Sequence, residues 1–287
     1  HALVALLIVP NTAHAEKERH NEHKRYNDVH NQKKRILVLI SDTGGGHRAS
    51  AEALADALHS LKPNAHDVSI VDMWTDHGNW PYNKFVDGYR ASAKTPIIWK
   101  TMYYATVVRP IMACNFALAE LTSAHNFEQC LREHDPHLVV SAHPLCQHIP
   151  IKLMEKMGGG KRRIPFATVV TDLGGAHPTW FCPSVDLCFV PSDAVRDIGR
   201  KCGMAVQQLR QYGLPTRPAF CRETPPRERL AKELNLASDR KTVLIVGGGD
   251  GVGSLDSIVT STAREVGKTC RDEAQLVVIC GKNSALR

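Results

Sequence analysis

Asp42, the triplet Gly44-Gly45-Gly46, His47 and Arg48 fall within seven residues of one another. Histidine is the side chain whose ordinary pKa lets it exchange a proton near neutral pH. A base held beside a reacting hydroxyl contributes about 10²–10⁴ in rate. His47 is therefore the first candidate for a general base. Asp42 is expected to orient it, to bind an acceptor, or to stabilise the turn as an Asx residue. A second glycine cluster, Gly247, Gly248, Gly249, Gly251 and Gly253, has a different use. Backbone N–H groups at such a loop, backed by a helix N-terminus, can hold a pyrophosphate and help it leave. No Gly-Lys-Ser/Thr follows, which excludes a P-loop ATPase. His177 and Trp180 stand in His177-Pro178-Thr179-Trp180. There Trp180 stacks on a sugar, walls an acceptor groove or fills the core, and His177 makes a polar contact. His143, before Pro144, ranks below them.

These residues need a framework, and the apolar runs supply one. Ile36–Ile40 reads as a strand buried on both faces, followed by the glycine turn and an Ala/Leu-rich helix from Arg48 to about Leu61. The glycines are expected to let the chain turn sharply and approach a ligand without Cβ interference. Further strands are expected at 68–71, 138–141, 165–170, 186–190 and 208–212, with a mainly helical region from Trp74 to Glu133. Ser192 or Asp193 caps a helix over 194–201. Pro215, Pro218, Pro225 and Pro226 read as a hinge. Beyond it come a helix at 227–236, a strand at 243–246, the second glycine cluster, another helix and a strand at 276–279. Two strand–glycine–helix starts predict two doubly wound α/β domains.

Four stretches carry a resemblance: Ser41 to Ala53; Val170-Thr171-Asp172 with His177 to Phe181; Tyr212 to Phe220; and Gly247 to Gly253. In order and rough spacing they resemble the plant and algal monogalactosyldiacylglycerol synthases, from about Ile36 to the last residue. The resemblance implies a GT-B glycosyltransferase with two Rossmann-like domains, the second incomplete here. It implies inverting transfer of galactose from UDP-galactose to diacylglycerol at a plastid membrane, without a cofactor or required metal. The expected divisions are a targeting leader and disordered spacer over 1–35, an acceptor domain over 36–220, and the start of a UDP-sugar domain over 221–287. The chain is accordingly expected to be a fragment of a longer product.

The eight aromatics Trp74, Trp80, Tyr82, Phe85, Tyr89, Trp99, Tyr103 and Tyr104 are interleaved with Lys84, Arg90, Lys94 and Lys100. They read either as a core between helices or as a membrane-interface surface that favours anionic lipid. Trp80-Pro81 is the expected lipid contact; the resembled family has a Trp-Pro in the same place.

Composition narrows the rest. A net charge of +7 and a pI near 8.9 favour an anionic partner. No aromatic-basic recognition motif directs that charge to nucleic acid. Nine cysteines without a Cys-x-x-Cys pair read as reduced thiols, neither a disulfide frame nor a zinc site. His1–Val9 with Thr12-Ala13-His14-Ala15 resembles the tail of a secretory signal peptide, or forms an ordinary buried element. Residues 16–35 read as a charged spacer. The choice between monomer and homodimer is not set by the sequence. Three other functions remain open. One is a lipid II N-acetylglucosaminyltransferase-like enzyme, and another is a non-catalytic lipid-binding module. The third is a dinucleotide-dependent oxidoreductase, since Gly44, Gly46 and Ala49 satisfy G-x-G-x-x-A and Asp72 ends the second strand, where ribose is held.

Overall fold

The computed structural model of the protein describes residues 33–93, 95–247 and 255–281. The first strand, β1 (Lys34–Ile40), enters helix α1 (Gly45–Leu61), and the chain returns through β2 (His66–Asp72). Four helices follow: α2 (Met73–His77), α3 (Phe85–Ala93), α4 (Pro96–Val107) and α5 (Arg109–His134). Strand β3 (Leu138–Ser141), helix α6 (His148–Met157), β4 (Phe166–Val169), β5 (Leu187–Val190), α7 (Asp193–Lys201) and β6 (Leu209–Gln211) complete the first part. After a 3-10 turn at Pro218–Cys221 come α8 (Arg227–Glu233), β7 (Lys241–Val246), α9 (Leu255–Thr269) and β8 (Ala274–Ile279).

Six strands form one parallel sheet in the order β2-β1-β3-β4-β5-β6. Alternate residues of β1 serve opposite faces, as the pleat requires. Leu37 and Leu39 pack with Trp74, Phe127, Leu131 and Ile149 from α2, α5 and α6. Ile36, Val38 and Ile40 pack with Ala51, Leu54 and Leu58 of α1. Helices on both faces explain why β1 is an unbroken apolar run. Strands β7 and β8 form a separate parallel pair joined through α9. This matches the α/β, doubly wound reading of the first part and supplies one βαβ unit of the second.

Boundaries moved in two informative places. Strand β1 begins at Lys34, inside the expected spacer, because it pairs with His66 on β2. Helix α1 begins at Gly45, so the glycines belong largely to the helix. None of Gly44, Gly45 or Gly46 has a positive φ; Gly44 is extended at φ −172°, ψ 153°. A left-handed turn is thus not what these glycines provide. The aromatic region is partly core and partly exposed. Trp74 is core at 3% exposure, and Trp80 stands 77% exposed beside an exposed Pro81. Residues 1–32, which hold the expected leader and most of the spacer, lie outside the described residues, as do Gly248, Gly249, Gly251 and Gly253.

Candidate active site

Strand order reverses between β1 and β3, since the chain leaves β1 for β2 on one side and finds β3 on the other. The crevice beyond the carboxyl ends of such strands is where open α/β sheets take ligands. A cavity of about 300 Å³ opens there, at the small end of the ~300–1,000 Å³ usual for ligand sites. Its polar floor includes Thr43, His47, His143, Asp172 and His177. Its apolar wall comes from Phe85 and Tyr89 of α3, Trp99, Met102 and Tyr103 of α4, and Met112 of α5.

His47 lies in the first turn of α1, one residue beyond Gly46. Its Nδ1 is 3.0 Å from the Ala142 carbonyl at the end of β3. A carbonyl can only accept, so Nδ1 carries the hydrogen and Nε2 carries the lone pair. The Thr171 hydroxyl, 3.1 Å from the same nitrogen, fixes the ring further. Burial lowers the His47 pKa, while the Ala142 bond and the charges of Asp172 and Asp42 pull it upward. The imidazole is therefore neutral at neutral pH, with its basic nitrogen ready.

His143 has the opposite tautomer. The Leu145 N–H donates to its Nδ1 at 3.2 Å, so the ring hydrogen sits on Nε2. That Nε2–H donates to the Thr43 hydroxyl oxygen at 3.2 Å. Complete burial, and then the neighbouring His47, push the His143 pKa well below the ordinary value. The two rings meet edge-to-face with centroids 4.6 Å apart.

Among the described residues, Asp172 is the one carboxylate lining the cavity. The Trp180 indole N–H donates to it at 2.7 Å and holds it in place. Trp180 is fully buried and its ring centroid lies 5.9 Å from that of His47. It packs in the core beneath the site, so the sugar-stacking and groove-wall readings of Trp180 do not hold. His177 does line the cavity, positioned by Thr106 at 3.2 Å and Thr179 at 2.7 Å. Burial lowers its pKa against the opposing pull of Asp172.

Asp42 does not orient His47. Arg48 takes its carboxylate in a forked pair, Nε to Oδ1 at 2.9 Å and Nη2 to Oδ2 at 2.6 Å. The Ala142 carbonyl performs the orienting role instead, and sequence reasoning had no signal for a backbone atom 95 residues away. Asp72 is equally committed: it accepts from the Asp42 N–H at 3.1 Å and from the Thr75 hydroxyl at 2.8 Å while capping α2. A ribose would have to displace these bonds, which argues against the dinucleotide arrangement. At the second glycine cluster, the Gly247 N–H donates to the Ile279 carbonyl at 2.8 Å. A Cβ there would lie 2.7 Å from Leu255 Cδ2 and 3.0 Å from the Ile279 carbonyl oxygen, so the site is tight, and the Gly247 amide is already committed rather than free for a phosphate. Thr43, Thr171 and Asp172 lie within the stretches that carry the resemblance, and none is among the expected site residues. Their position at strand ends was the available signal.

The monogalactosyldiacylglycerol (MGDG) synthase family profile matches residues 47–216. The chain is 40% identical over 259 residues to the monogalactosyldiacylglycerol synthase, chloroplastic, of Spinacia oleracea, covering 88% of this chain and 49% of that protein. A probable monogalactosyldiacylglycerol synthase, chloroplastic, of Nicotiana tabacum is 39% identical over 259 residues, covering 88% of this chain and 48% of its own length. Monogalactosyldiacylglycerol synthase 1, chloroplastic, of Arabidopsis thaliana is 38% identical over 256 residues, with 88% and 48% covered. The chain spans about half the length of these relatives.

Proposed function

The chain belongs to the monogalactosyldiacylglycerol synthase family, and from that premise we propose that it forms the acceptor side of a UDP-galactose:1,2-diacylglycerol galactosyltransferase. The observation that carries the reading is the Nε2 lone pair of His47, set by the Ala142 carbonyl, at an apolar cavity. His47 Nε2 accepts the proton of the diacylglycerol hydroxyl as that oxygen attacks the anomeric carbon of galactose. The carbon–oxygen bond to the β-phosphate breaks, and UDP leaves with the electron pair. The imidazolium then returns its proton to solvent. Asp172 favours the charged imidazole through space. The apolar wall from α3, α4 and α5 suits acyl chains, and no metal or cofactor enters the scheme.

In this reading residues 36–220 hold the acceptor and residues 221–287 begin the donor domain of a GT-B enzyme, with the segment after Gly247 facing the UDP pyrophosphate. The relatives' chloroplastic names support a plastid membrane, met peripherally. Among the described residues no helix is long and apolar enough to cross a bilayer. The exposed Trp80, Ile97 and Tyr104 support contact with lipid, and neighbouring Lys84 and Lys100 support an anionic surface. Trp80→Ala is expected to weaken binding to anionic vesicles in a co-sedimentation assay. Unchanged binding by a folded variant would remove Trp80 from the lipid contact.

The test of the activity is transfer by the full-length protein in mixed micelles of 1,2-diacylglycerol. UDP-galactose is expected to yield UDP and a β-galactosyl lipid, read from the anomeric proton by NMR. An α-anomer, or no transfer by protein that binds NAD, would overturn the proposal.

A further inference from the structure

Thr43 sits at the end of a hydrogen-bond chain whose direction is fixed from its start. The Leu145 N–H donates to His143 Nδ1, which leaves the ring hydrogen on Nε2 to donate to Thr43 Oγ1. The hydroxyl oxygen is thereby an acceptor towards His143, and its own hydrogen is left to donate elsewhere. No other hydrogen-bond partner of the Thr43 hydroxyl is found among the described residues. Thr43 is 7% exposed and lines the cavity together with His47. His143 links the two: its ring meets that of His47 at 4.6 Å and its Nε2 reaches Thr43 at 3.2 Å. The floor thus presents two polar groups of opposite character, both against His143: a lone pair on His47 and a hydrogen on Thr43.

A diacylglycerol complements this pair in only one sense. Its single donor is the free hydroxyl, whose proton goes to His47. Its remaining polar atoms are ester oxygens, which only accept. With the reacting oxygen committed to its attack on the anomeric carbon, an ester carbonyl is the group of the acceptor lipid that a hydrogen on Thr43 can meet.

We propose that the Thr43 hydroxyl, aligned by His143, donates a hydrogen bond to an ester carbonyl of the acceptor lipid and so selects acylglycerols over alkyl ethers. Thr43 is in this sense a specificity-determining residue that positions the hydroxyl against His47. The inference rests on the galactosyl-transfer reading above and deepens its acceptor half.

The experiment compares 1,2-diacylglycerol with a 1,2-dialkylglycerol of equal chain length, using the full-length protein and UDP-galactose. The ether keeps the reacting hydroxyl and lacks the carbonyls. Wild type is expected to favour the ester by about tenfold in kcat/KM, the size of one hydrogen bond to an otherwise unpaired buried donor. Thr43→Val keeps the shape and removes the donor, together with the acceptor of the His143 Nε2–H. It is expected to lower kcat/KM on the ester by about that factor and to leave the ether within about twofold. Thr43→Ser restores the donor and should restore the preference. Equal losses on both lipids would overturn the proposal, because they would indicate a contact with the sugar nucleotide or a purely structural role. Wild type that uses ester and ether alike would overturn it even if Thr43→Val failed to fold. Failure of wild type to galactosylate either lipid would strike instead at the activity on which the inference rests.

Discussion

His47 and His143 lie edge-to-face at 4.6 Å, yet they are opposite instruments. At the start of α1, the carbonyl of Ala142, just past β3, takes the His47 Nδ1–H and leaves the lone pair on Nε2. In the loop after β3, the Leu145 N–H takes the His143 lone pair and leaves a hydrogen. His47 is half-buried and His143 is 3% exposed. The side-chain type is identical, so the difference is made entirely by which backbone group each ring meets. One becomes a base and the other a fixed donor. The junction of β1 and β3 does both, because parallel strands end there with a carbonyl from one and an amide from the following loop.

Exchanging or removing the two rings should separate these roles. His47→Ala in the full-length enzyme is expected to lower kcat by about 10²-fold or more, with UDP-galactose binding little changed. Steady-state kinetics with a donor-binding titration checks this; kcat within a few-fold of wild type would assign the base elsewhere. His143→Ala should act mainly on stability. It strands the Leu145 N–H and the Thr43 hydroxyl in a buried setting, which costs about 1–3 kcal/mol before any cavity effect. Urea unfolding should show a larger loss for His143→Ala than for His47→Ala, and the reverse ranking would dissolve the contrast.

Acid should sharpen the same comparison. Both folded-state pKa values lie below the ordinary 6.5, the shift of His143 being the larger. As pH falls below about 6.5 the unfolded chain binds protons first, so the stabilisation held above that pH is lost as pH drops through the folded values. Stability is expected to decline on the acid side, and His143→Ala should flatten that decline. The acid limb of kcat/KM should fall below pH 6.5, since burial keeps His47 in its basic form there. A limb centred above 6.5 would mean that the Asp172 charge outweighs burial. Asp172→Asn would then move it downward.

Much of this framework was legible in the chain. The run Ile36–Ile40 announced a doubly covered strand, and a histidine beside glycines at its end announced the crevice. Lys241–Val246 shows what such a run leaves open. It has a similar apolar signal, yet Leu244 and Val246 are 58% and 61% exposed, whereas Leu39 and Ile40 are fully buried. Strand β1 has partners on both edges and helices on both faces, and β7 pairs only with β8 among the described residues. Local pattern specifies a strand, and burial depends on neighbours far along the sequence. The same distance hid the site's wiring. The Ala142 carbonyl and the Leu145 amide carry no side-chain signature, and of the readings open for Trp180 the core one holds, its indole donating to Asp172. Asp42 is instead a local matter: Arg48, six residues along the same segment, takes its carboxylate in a forked pair.

The smallest expected effect bears on why the base side of the pair is built from glycine. Gly46 lies within α1, has no positive φ, and a Cβ there would meet nothing within 4 Å. Gly46→Ala should therefore stabilise the fold by about 0.5–1 kcal/mol, the usual gain from replacing a helical glycine. If the fold does not need Gly46, a ligand that approaches the backbone at the start of α1 supplies the reason for it. In that case the variant should melt slightly higher while kcat/KM falls, with the loss centred on KM. A calorimetric scan paired with galactosyl-transfer kinetics separates the outcomes. A higher Tm with unchanged kinetics would mean that no substrate closes against this turn and that His47 works from a more open face than the cavity implies.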